Sequence, residues 1–375
     1  MNNQYRICTR CIMDTSDPEI TFDEQGVCSH CHQYDVYLPK RVIPVDERPE
    51  YLRIILDKIK KDGKNKEYDC IIGVSGGVDS TYVAYWAKNN GLRPLAIHFD
   101  NGWNSELAVS NIEKTLDTLN IDLYTYVIDW EIFRDLQLSF LKASTPDGEI
   151  PTDHAINALL FKEANKRNIK YILSGMNYAT ESSVVKSWAY GHSDWKYIKS
   201  VHKIFRTKPL RKYPYYTFFS LFWWTFIRKI KSVAILNYID YNKEEAMGVL
   251  ENKLGWKYYG GKHYESVYTR FYQGYILPEK FNIDKRRIHL SDLIKSGQIT
   301  RDQALIEMEK PVYDKNLLIQ DMEFVKKKLG LNDKGFDSIM KAPIKSFRDY
   351  PNNEKWVSKL KEFVHFLRGK NLYSK

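Results

Sequence analysis

The sequence predicts an α/β protein, a parallel sheet with crossover helices, flanked by a metal-stapled N-terminal module and a helical C-terminal region. Three observations predict it. Strand-like and helix-like stretches alternate through residues 68–175, the pattern of a parallel sheet with right-handed connections. An apolar run (Cys70, Ile71, Ile72, Val74) leads into Ser75-Gly76-Gly77-Val78-Asp79-Ser80 and then into an amphipathic stretch (Val83, Ala84, Trp86, Ala87). That is a strand, a glycine turn and a helix N-terminus in succession. Four of the five cysteines form two C-x-x-C pairs, Cys8 with Cys11 and Cys28 with Cys31, separated by sixteen residues.

Taken in chain order, residues 1–40 are the metal module. Four thiolates in two knuckles suit tetrahedral zinc, and Gly26 precedes the second knuckle, where a turn must aim backbone amides at sulfur. His30 and His32 flank Cys31 as alternative ligands, and an iron–sulfur cluster is an alternative occupant. The first residues, Met1-Asn2-Asn3-Gln4, carry no apolar leader, and no apolar run reaches the roughly 18 residues of a membrane span. A cytoplasmic location is therefore expected, where paired cysteines read as metal ligands rather than disulfides.

The second domain is expected over residues 41–195. It opens with a charged connector containing Pro44 and Pro49 and a helical pattern of Leu52, Ile55, Leu56 and Ile59. Strands are expected at 68–74, 94–99, 123–128 and 170–174, with helices at 107–119 and 155–168 among those between them. Asn90-Gly91 is a helix stop.

Residues 196–259 read as a basic, aromatic insertion. The window 196–231 holds ten Lys or Arg and no Asp or Glu, which equals the net charge of +10 of the whole chain. A nucleic-acid binder spreads such charge over a fold, so nucleic acid is not expected as a partner. The centre of the window, 215–227, is an apolar run with Trp223 and Trp224. Three readings stand: a buried core helix with solvated ends, a contact of 205–231 with an anionic membrane surface, or an interface for a partner or an anionic substrate. Residues 260–375 read as mainly helical. Thr300-Arg301-Asp302-Gln303 is a capping box, and the last helix places Val357, Leu360, Phe363, Val364 and Leu367 on one face.

Ligands of parallel sheets bind beyond the carboxyl ends of the strands, at the point where strand order reverses. Three polar stretches sit at such ends: the 75–80 loop, Asp100-Asn101-Gly102, and the run from Ser174 and Gly175 to Glu181 and Ser182. In the loop, glycines allow close backbone approach, helix N–H groups face an anion, and the two serines add donors. Asp79 can hold the magnesium that accompanies a polyphosphate. There is no Gly-Lys-Ser/Thr ending, so no Walker lysine reaches a γ-phosphate, and no G-x-G-x-x-G fingerprint.

Ser75-Gly76-Gly77-Val78-Asp79-Ser80 resembles the pyrophosphate loop (PP-loop) of the N-type ATP pyrophosphatases, among them asparagine, GMP and NAD synthetases, argininosuccinate synthetase and tRNA-thiolating enzymes. The resemblance covers residues of about 68–190 and implies an ATP site of Ser75, Gly76, Gly77, Val78, Asp79 and Ser80, with Asp100, Asn101 and Gly175 beside it. It implies cleavage between the α- and β-phosphates, adenylylation of a substrate oxygen, and displacement of AMP by a nitrogen or sulfur nucleophile. Further segments look like the N-acetyl sugar amidotransferases of bacterial surface-polysaccharide and nonulosonic-acid pathways. They are Cys8-Thr9-Arg10-Cys11-Ile12-Met13-Asp14, His98-Phe99-Asp100-Asn101-Gly102-Trp103, residues 174–182, Gly261-Lys262-His263-Tyr264-Glu265, Thr269-Arg270-Phe271 and Asp284-Lys285-Arg286-Arg287.

This second resemblance implies conversion of an acetamido group of a nucleotide-linked or nonulosonic sugar, as in lipopolysaccharide and O-antigen synthesis, to an acetamidino group. It implies ATP, magnesium held by Asp79 and Glu181, and zinc on the four cysteines. Lys186, Lys285 and Arg286 become candidates to stabilise phosphate charge. Ordinary surface charges are the alternative for these three, and a helix N-terminal carboxylate is the alternative for Glu181. Cys70 lies on a strand and reads as core, so glutamine hydrolysis is expected on another protein; the resemblance implies a glutaminase subunit as the source of ammonia, often with a cyclase-like barrel subunit beside it. The ribbon or the basic insertion could dock that partner. A tRNA-thiolating enzyme with a zinc ribbon and a non-enzymatic nucleotide-binding protein are the competing readings.

Overall fold

The computed structural model describes residues 5–178, 180–261 and 264–359. Five short strands organise it: β1 (Cys70–Gly73), β2 (Pro94–Asp100), β3 (Leu123–Val127), β4 (Tyr171–Ser174) and β5 (Lys231–Ala234). All pair in parallel, in the order β3-β2-β1-β4-β5. Ile71 of β1 stands between Leu95 of β2 and Ile172 of β4. The inner strands β1 and β2 are covered on both faces and are mainly apolar and buried, β2 admitting His98 among its buried residues, whereas edge strand β3 alternates between half-buried and exposed residues, as a one-faced strand must.

The helices follow in chain order as α1 (Ser29–Arg41), α2 (Arg48–Gly63), α3 (Val78–Asn89), α4 (Glu106–Leu119), α5 (Trp130–Ala143), α6 (Ile150–Lys166) and α7 (Trp195–Phe205). After these come α8 (Phe218–Phe222), which continues into a π-helical turn over Trp223–Ile227, and α9 (Lys243–Leu254). The C-terminal region holds α10 (Val267–Phe271), α11 (Leu277–Phe281), α12 (Arg286–Lys295), α13 (Arg301–Glu309), α14 (Lys315–Leu329) and α15 (Asp333–Lys341). Helix α3 stops at Asn90 and Gly91, the glycine at φ +71°. Thr300 and Gln303 form the reciprocal capping box on α13. The terminal helix expected around Leu360, Phe363, Val364 and Leu367 lies outside the described residues.

The four expected strands are present: β1 is three residues shorter than expected, β3 and β4 are each one shorter, and β2 runs one residue further. Strand β5 was not foreseen. It is four residues long, begins on a lysine, and sits inside the segment set apart as 196–259, so the sheet continues past residue 195. Its pairing with β4, Tyr171 to Lys231 and Ser174 to Ala234, is supplied by tertiary context rather than local pattern.

Two cores flank the sheet. On one face Cys70, Ile72 and Ala96 pack with Val83 and Ala87 of α3, Leu116 of α4 and Leu250 of α9. On the other, Ile71, Leu95 and Ile172 pack with α5, α6 and α10 through Phe133, Phe140, Ala155 and Phe271, and this core runs on to the ribbon cysteines and to Val325 and Phe336. The period-2 alternation of strand side chains divides the two sets.

The run 215–227 crosses the outside of α6. Among residues 217–227 Trp224 alone is buried; it stacks on Phe161 of α6 at 5.6 Å. The core-helix reading of this run is thereby corrected: Trp224 and Tyr216, which stacks on His154 at 4.4 Å, anchor it, and most of its other large side chains face outward. Among the described residues no helix is long and apolar enough to cross a membrane.

Candidate functional site

Strand order reverses between β1 and β4, and the loops leaving their carboxyl ends meet there. After β1 the chain turns through Gly76 at φ +80°, where a Cβ would lie 2.6 Å from the Ala108 carbonyl oxygen of α4. Only glycine fits that left-handed, backbone-crowded position. The Trp256 indole N–H caps the Gly76 carbonyl at 2.9 Å. The two serines face each other across the loop: Ser75 N–H donates to Ser80 Oγ at 3.3 Å, Gly77 N–H donates to Ser75 Oγ at 3.3 Å, and Ser80 Oγ donates to the Gly77 carbonyl at 3.2 Å. Helix α3 opens with Gly77 as its N-cap and Asp79 in the first turn, so amide hydrogens and hydroxyls converge on one spot.

The loop after β4 closes on this spot from the other side. A Cβ on Gly175 would lie 3.0 Å from the Asp79 carbonyl carbon and 3.1 Å from the Ser80 nitrogen. Asn177, buried, organises the next turn: its Oδ1 accepts from the Thr180 N–H and hydroxyl at 2.8 and 2.9 Å, and its carbonyl accepts from the Glu181 N–H at 3.1 Å. The structure therefore brings Gly175 against Asp79, with Glu181 near enough to act on the same tyrosine as Asp79. That tyrosine is Tyr241, whose hydroxyl donates to Asp79 Oδ1. Burial, then the Asp79 and Glu181 charges, hold the Tyr241 phenol well above its ordinary range.

Behind the loop, His98 of β2 donates from Nδ1 to the Val74 carbonyl at 2.9 Å and accepts at Nε2 from Asn104 Nδ2 at 2.9 Å. An amide N–H facing Nε2 makes that nitrogen the acceptor and fixes Nδ1 as the protonated one. Asp100 and Asn101 lie at the end of β2. Asp100 Oδ1 accepts the Gly102 N–H at 2.8 Å, and Asn101 Nδ2 donates to Thr152 of α6 at 3.1 Å.

Residues that sequence reasoning left out also belong here. An added Cβ at Gly77 would meet the Tyr259 hydroxyl at 3.3 Å and Glu265 Oε1 at 3.6 Å. Burial pushes the Tyr259 phenol well up, helped by Glu265 and opposed by the Val78 N–H. Glu265 stood in a quoted motif without a role. Tyr241, Trp256 and Tyr259 carried no local signal, since they reach the loop from more than a hundred residues away by folding alone. Lys262 and His263 of the same motif, like Ala179 of the 174–182 loop, lie outside the described residues.

The three candidate cations are placed differently. Lys186 pairs with Glu354 and lies over the Phe347 ring. Arg286 grips Asp284 and donates to the carbonyls of Glu307, Met308 and Lys310. These partners lie in the C-terminal region rather than at the 75–80 loop. Lys285 reaches Glu149 at 3.5 Å, beside the Gln273 contact to the same carboxylate. Glu149 directly precedes α6, whose first turn carries the Thr152 contact to Asn101, so Lys285 is the one of the three that approaches the strand ends.

At the N-terminal side the four cysteine sulfurs of Cys8, Cys11, Cys28 and Cys31 lie within 4.8 Å of one another, all buried. The neighbouring Sγ pairs are 3.7 to 3.9 Å apart. A tetrahedral zinc with bonds of about 2.3 Å requires sulfurs about 3.8 Å apart, so the residues fit the ion. Backbone N–H groups of Arg10, Cys11, Met13 and Cys28 donate to the sulfurs at 3.2 to 3.4 Å. His30 and His32 are paired with Asp17 and Asp23, each at 2.8 Å, outside the cluster. The ribbon is not isolated. Arg301 donates to the Cys11 and Cys8 carbonyls at 3.0 and 3.1 Å, and Tyr34 of α1 stacks on Tyr178 of the 174–182 loop at 5.3 Å.

The comparisons with known proteins agree with this geometry. Residues 69–193 match the family described as queuosine biosynthesis protein QueC, and residues 265–362 match the C-terminal domain of LPS biosynthesis protein WbpG-like proteins. The sheet, the loop and these matches define a fold of the PP-loop type. Residues 69–193 and 265–362 thus carry the features of a PP-loop ATP pyrophosphatase superfamily member of the WbpG type. Among solved structures, an NMN synthetase from Francisella tularensis is 19% identical over 38% of this chain and 60% of its own length, with a TM-score of 0.30. The match thus spans less than two thirds of that synthetase. An NH3-dependent NAD synthetase from Campylobacter jejuni is 13% identical over 79% of this chain and 97% of its own, at a TM-score of 0.30. A comparison with curated proteins finds no match.

Proposed function

We propose that the protein is an ATP-dependent amidotransferase that converts the acetamido group of an N-acetyl sugar into an acetamidino group and releases AMP and pyrophosphate. The observation that carries the reading is the meeting of the 75–80 loop with Gly175, Asp79 and Tyr241 at the strand-order reversal, in a chain whose residues 265–362 match a lipopolysaccharide-biosynthesis domain.

An amide is a poor electrophile, and its oxygen is a poor leaving group. The amide oxygen attacks the α-phosphorus of ATP, the bond from that phosphorus to the bridging oxygen breaks, and pyrophosphate departs. Ammonia then adds to the activated carbon, the carbon–oxygen bond breaks, and AMP leaves with the former amide oxygen. The loop's part would be to hold the departing phosphates through the Gly77 and Val78 amides and the Ser75 and Ser80 hydroxyls, which would exchange their present partners within the loop and Tyr259 for phosphate oxygens. Asp79 and Glu181 would hold magnesium through their hard carboxylate oxygens, and that ion would neutralise charge on the leaving pyrophosphate. Lys285 is the candidate cation nearest the strand ends; Lys186 and Arg286 act in this reading by holding the C-terminal region in place.

Ammonia comes from a separate glutaminase. Four cysteines share the ribbon cluster, and burial raises the Cys70 thiol far above its ordinary value, so no cysteine is poised as a thiolate nucleophile for glutamine. The same fact weighs against a sulfur-carrying role in tRNA thiolation. The test is to incubate the protein with ATP, magnesium, an ammonium salt and UDP-linked or nonulosonic N-acetyl sugars. Sugar-dependent AMP formation supports the reading; AMP formation only with tRNA and a sulfur donor overturns it.

A further inference from the structure

We propose that the segment 206–231 is a membrane-surface anchor that seats the enzyme on an anionic lipid bilayer. The observation is an outward face on α8 and its π-helical continuation: Phe218, Phe219, Phe222, Trp223, Phe226 and Ile227 are all exposed, Phe219 at 74% and Phe226 at 63%. Phe222 and Phe226 contact each other at 5.0 Å, so the rings form one patch rather than scattered single residues. Contiguous exposed apolar surface of this kind marks an interaction site on a soluble fold.

The patch is held rigidly from beneath. Trp224 stacks on Phe161, Tyr213 donates to the Pro151 carbonyl at 2.6 Å, and Arg228 donates to Asn165 at 2.9 Å. Tyr126 of edge strand β3 donates to the Lys212 carbonyl at 2.8 Å, and Lys231 opens β5 at the opposite edge. The segment therefore straps across α6 from one sheet edge to the other and presents its rings outward.

Charge selects the partner. Arg206, Arg211, Lys212, Arg228, Lys229 and Lys231 flank the rings and are exposed, and the whole window 196–231 contains no carboxylate. A ring patch bordered on both sides by cations, with tryptophan and phenylalanine at its centre, matches the interface of a bilayer rich in acidic phospholipids. The ten residues of Phe218–Ile227 are far too few to span, so the element lies in the plane of the surface. It covers the C-terminal half of α6, whereas the Asn101 contact sits on the first turn of α6. Docking there leaves the ATP loop open to solvent. The inference does not depend on which sugar is modified.

The test is flotation of the full chain with vesicles of phosphatidylglycerol and phosphatidylethanolamine, with phosphatidylcholine vesicles in parallel. The protein is expected to float with the anionic vesicles and to be released by raised salt. Phe219→Glu combined with Phe226→Glu is expected to lower binding by about tenfold or more while leaving thermal unfolding and the rate on soluble substrate unchanged. Arg211→Glu with Lys229→Glu should weaken anionic binding in the same direction. Absence of flotation by the unmodified protein overturns the proposal, as does undiminished flotation of the double-glutamate variant. A dimer in solution that Phe219→Glu dissociates, with no vesicle binding, assigns the patch to a second copy and likewise overturns it.

Discussion

Gly175→Ala tests whether the loops after β1 and β4 form one site. The glycine has no unusual backbone conformation to protect, so the substitution acts through its added methyl group. That carbon would lie 3.0 Å from the Asp79 carbonyl carbon, 3.1 Å from the Asp79 Cβ and 3.1 Å from the Ser80 nitrogen. Ordinary carbon contacts sit at about 3.5–4.0 Å, and two of the three neighbours are main-chain atoms at the start of α3, which cannot rotate away. The loops must part by roughly half an ångström, and overpacking of this kind costs about 1–3 kcal/mol. Since about 1.4 kcal/mol is a factor of ten in rate, kcat/KM for ATP should fall roughly tenfold to a hundredfold. The assay is pyrophosphate release at varied ATP with thermal unfolding measured alongside. Gly248→Ala in α9, where a Cβ meets nothing within 4 Å, serves as the control and should leave both unchanged or slightly raise stability. A Gly175→Ala enzyme within twofold of the parent, with equal stability, would refute the convergence of the two loops.

Other outcomes follow from the same contacts. Asp292 and Lys295 form a buried pair at 2.6 Å, and Asp292 also accepts from Ser182 and Ser183 just after Glu181; Asp292→Ala leaves the lysine charge buried and should cost about 3–5 kcal/mol in denaturant titrations. Metal analysis of the purified chain should find zinc, and Cys28→Ser should lose it and speed amide exchange in residues 174–183, because Tyr178 loses its stacked support from Tyr34; unchanged exchange would show the ribbon to be uncoupled from the site. Burial lowers the His154 pKa from 6.5 to about 4. The folded chain holds this imidazole neutral, with Nδ1 against the His192 carbonyl and Nε2 accepting from the Tyr216 N–H. Its contribution is complete above pH 6.5 and is lost as pH falls toward 4, by about 3 kcal/mol at most; His154→Leu should flatten that part of the stability profile, and an unaltered slope would contradict it.

The loop half of the candidate site was legible because its signal is local. Strand, glycine turn and helix N-terminus occupy consecutive residues, and each glycine there answers to a measurable crowding, as Gly76 does against Ala108. The ribbon was legible for the same reason: cysteine spacing sets sulfur spacing. What sequence could not supply is what folding brings from afar. Tyr241, Trp256 and Tyr259 sit on the loop from the far side of β5, a strand whose four residues begin on a lysine and carry no apolar alternation. Charge identity misled for Arg286, because a guanidinium that closes carbonyl ends looks in sequence like one that binds phosphate. The aromatic run was recognised by composition, yet only its packing showed that Trp224 faces inward while its neighbours face out.

The most direct measurement of the proposed reaction follows the amide oxygen. An N-acetyl sugar carrying heavy oxygen in its acetamido carbonyl is incubated with the enzyme, ATP, magnesium and ammonium, and the AMP and sugar are analysed by mass spectrometry. The account predicts that the label appears in AMP, in amount equal to the acetamidino sugar formed, because the oxygen bonded to the α-phosphorus leaves with it. Label retained in the sugar, or ADP and phosphate in place of AMP and pyrophosphate, would contradict it.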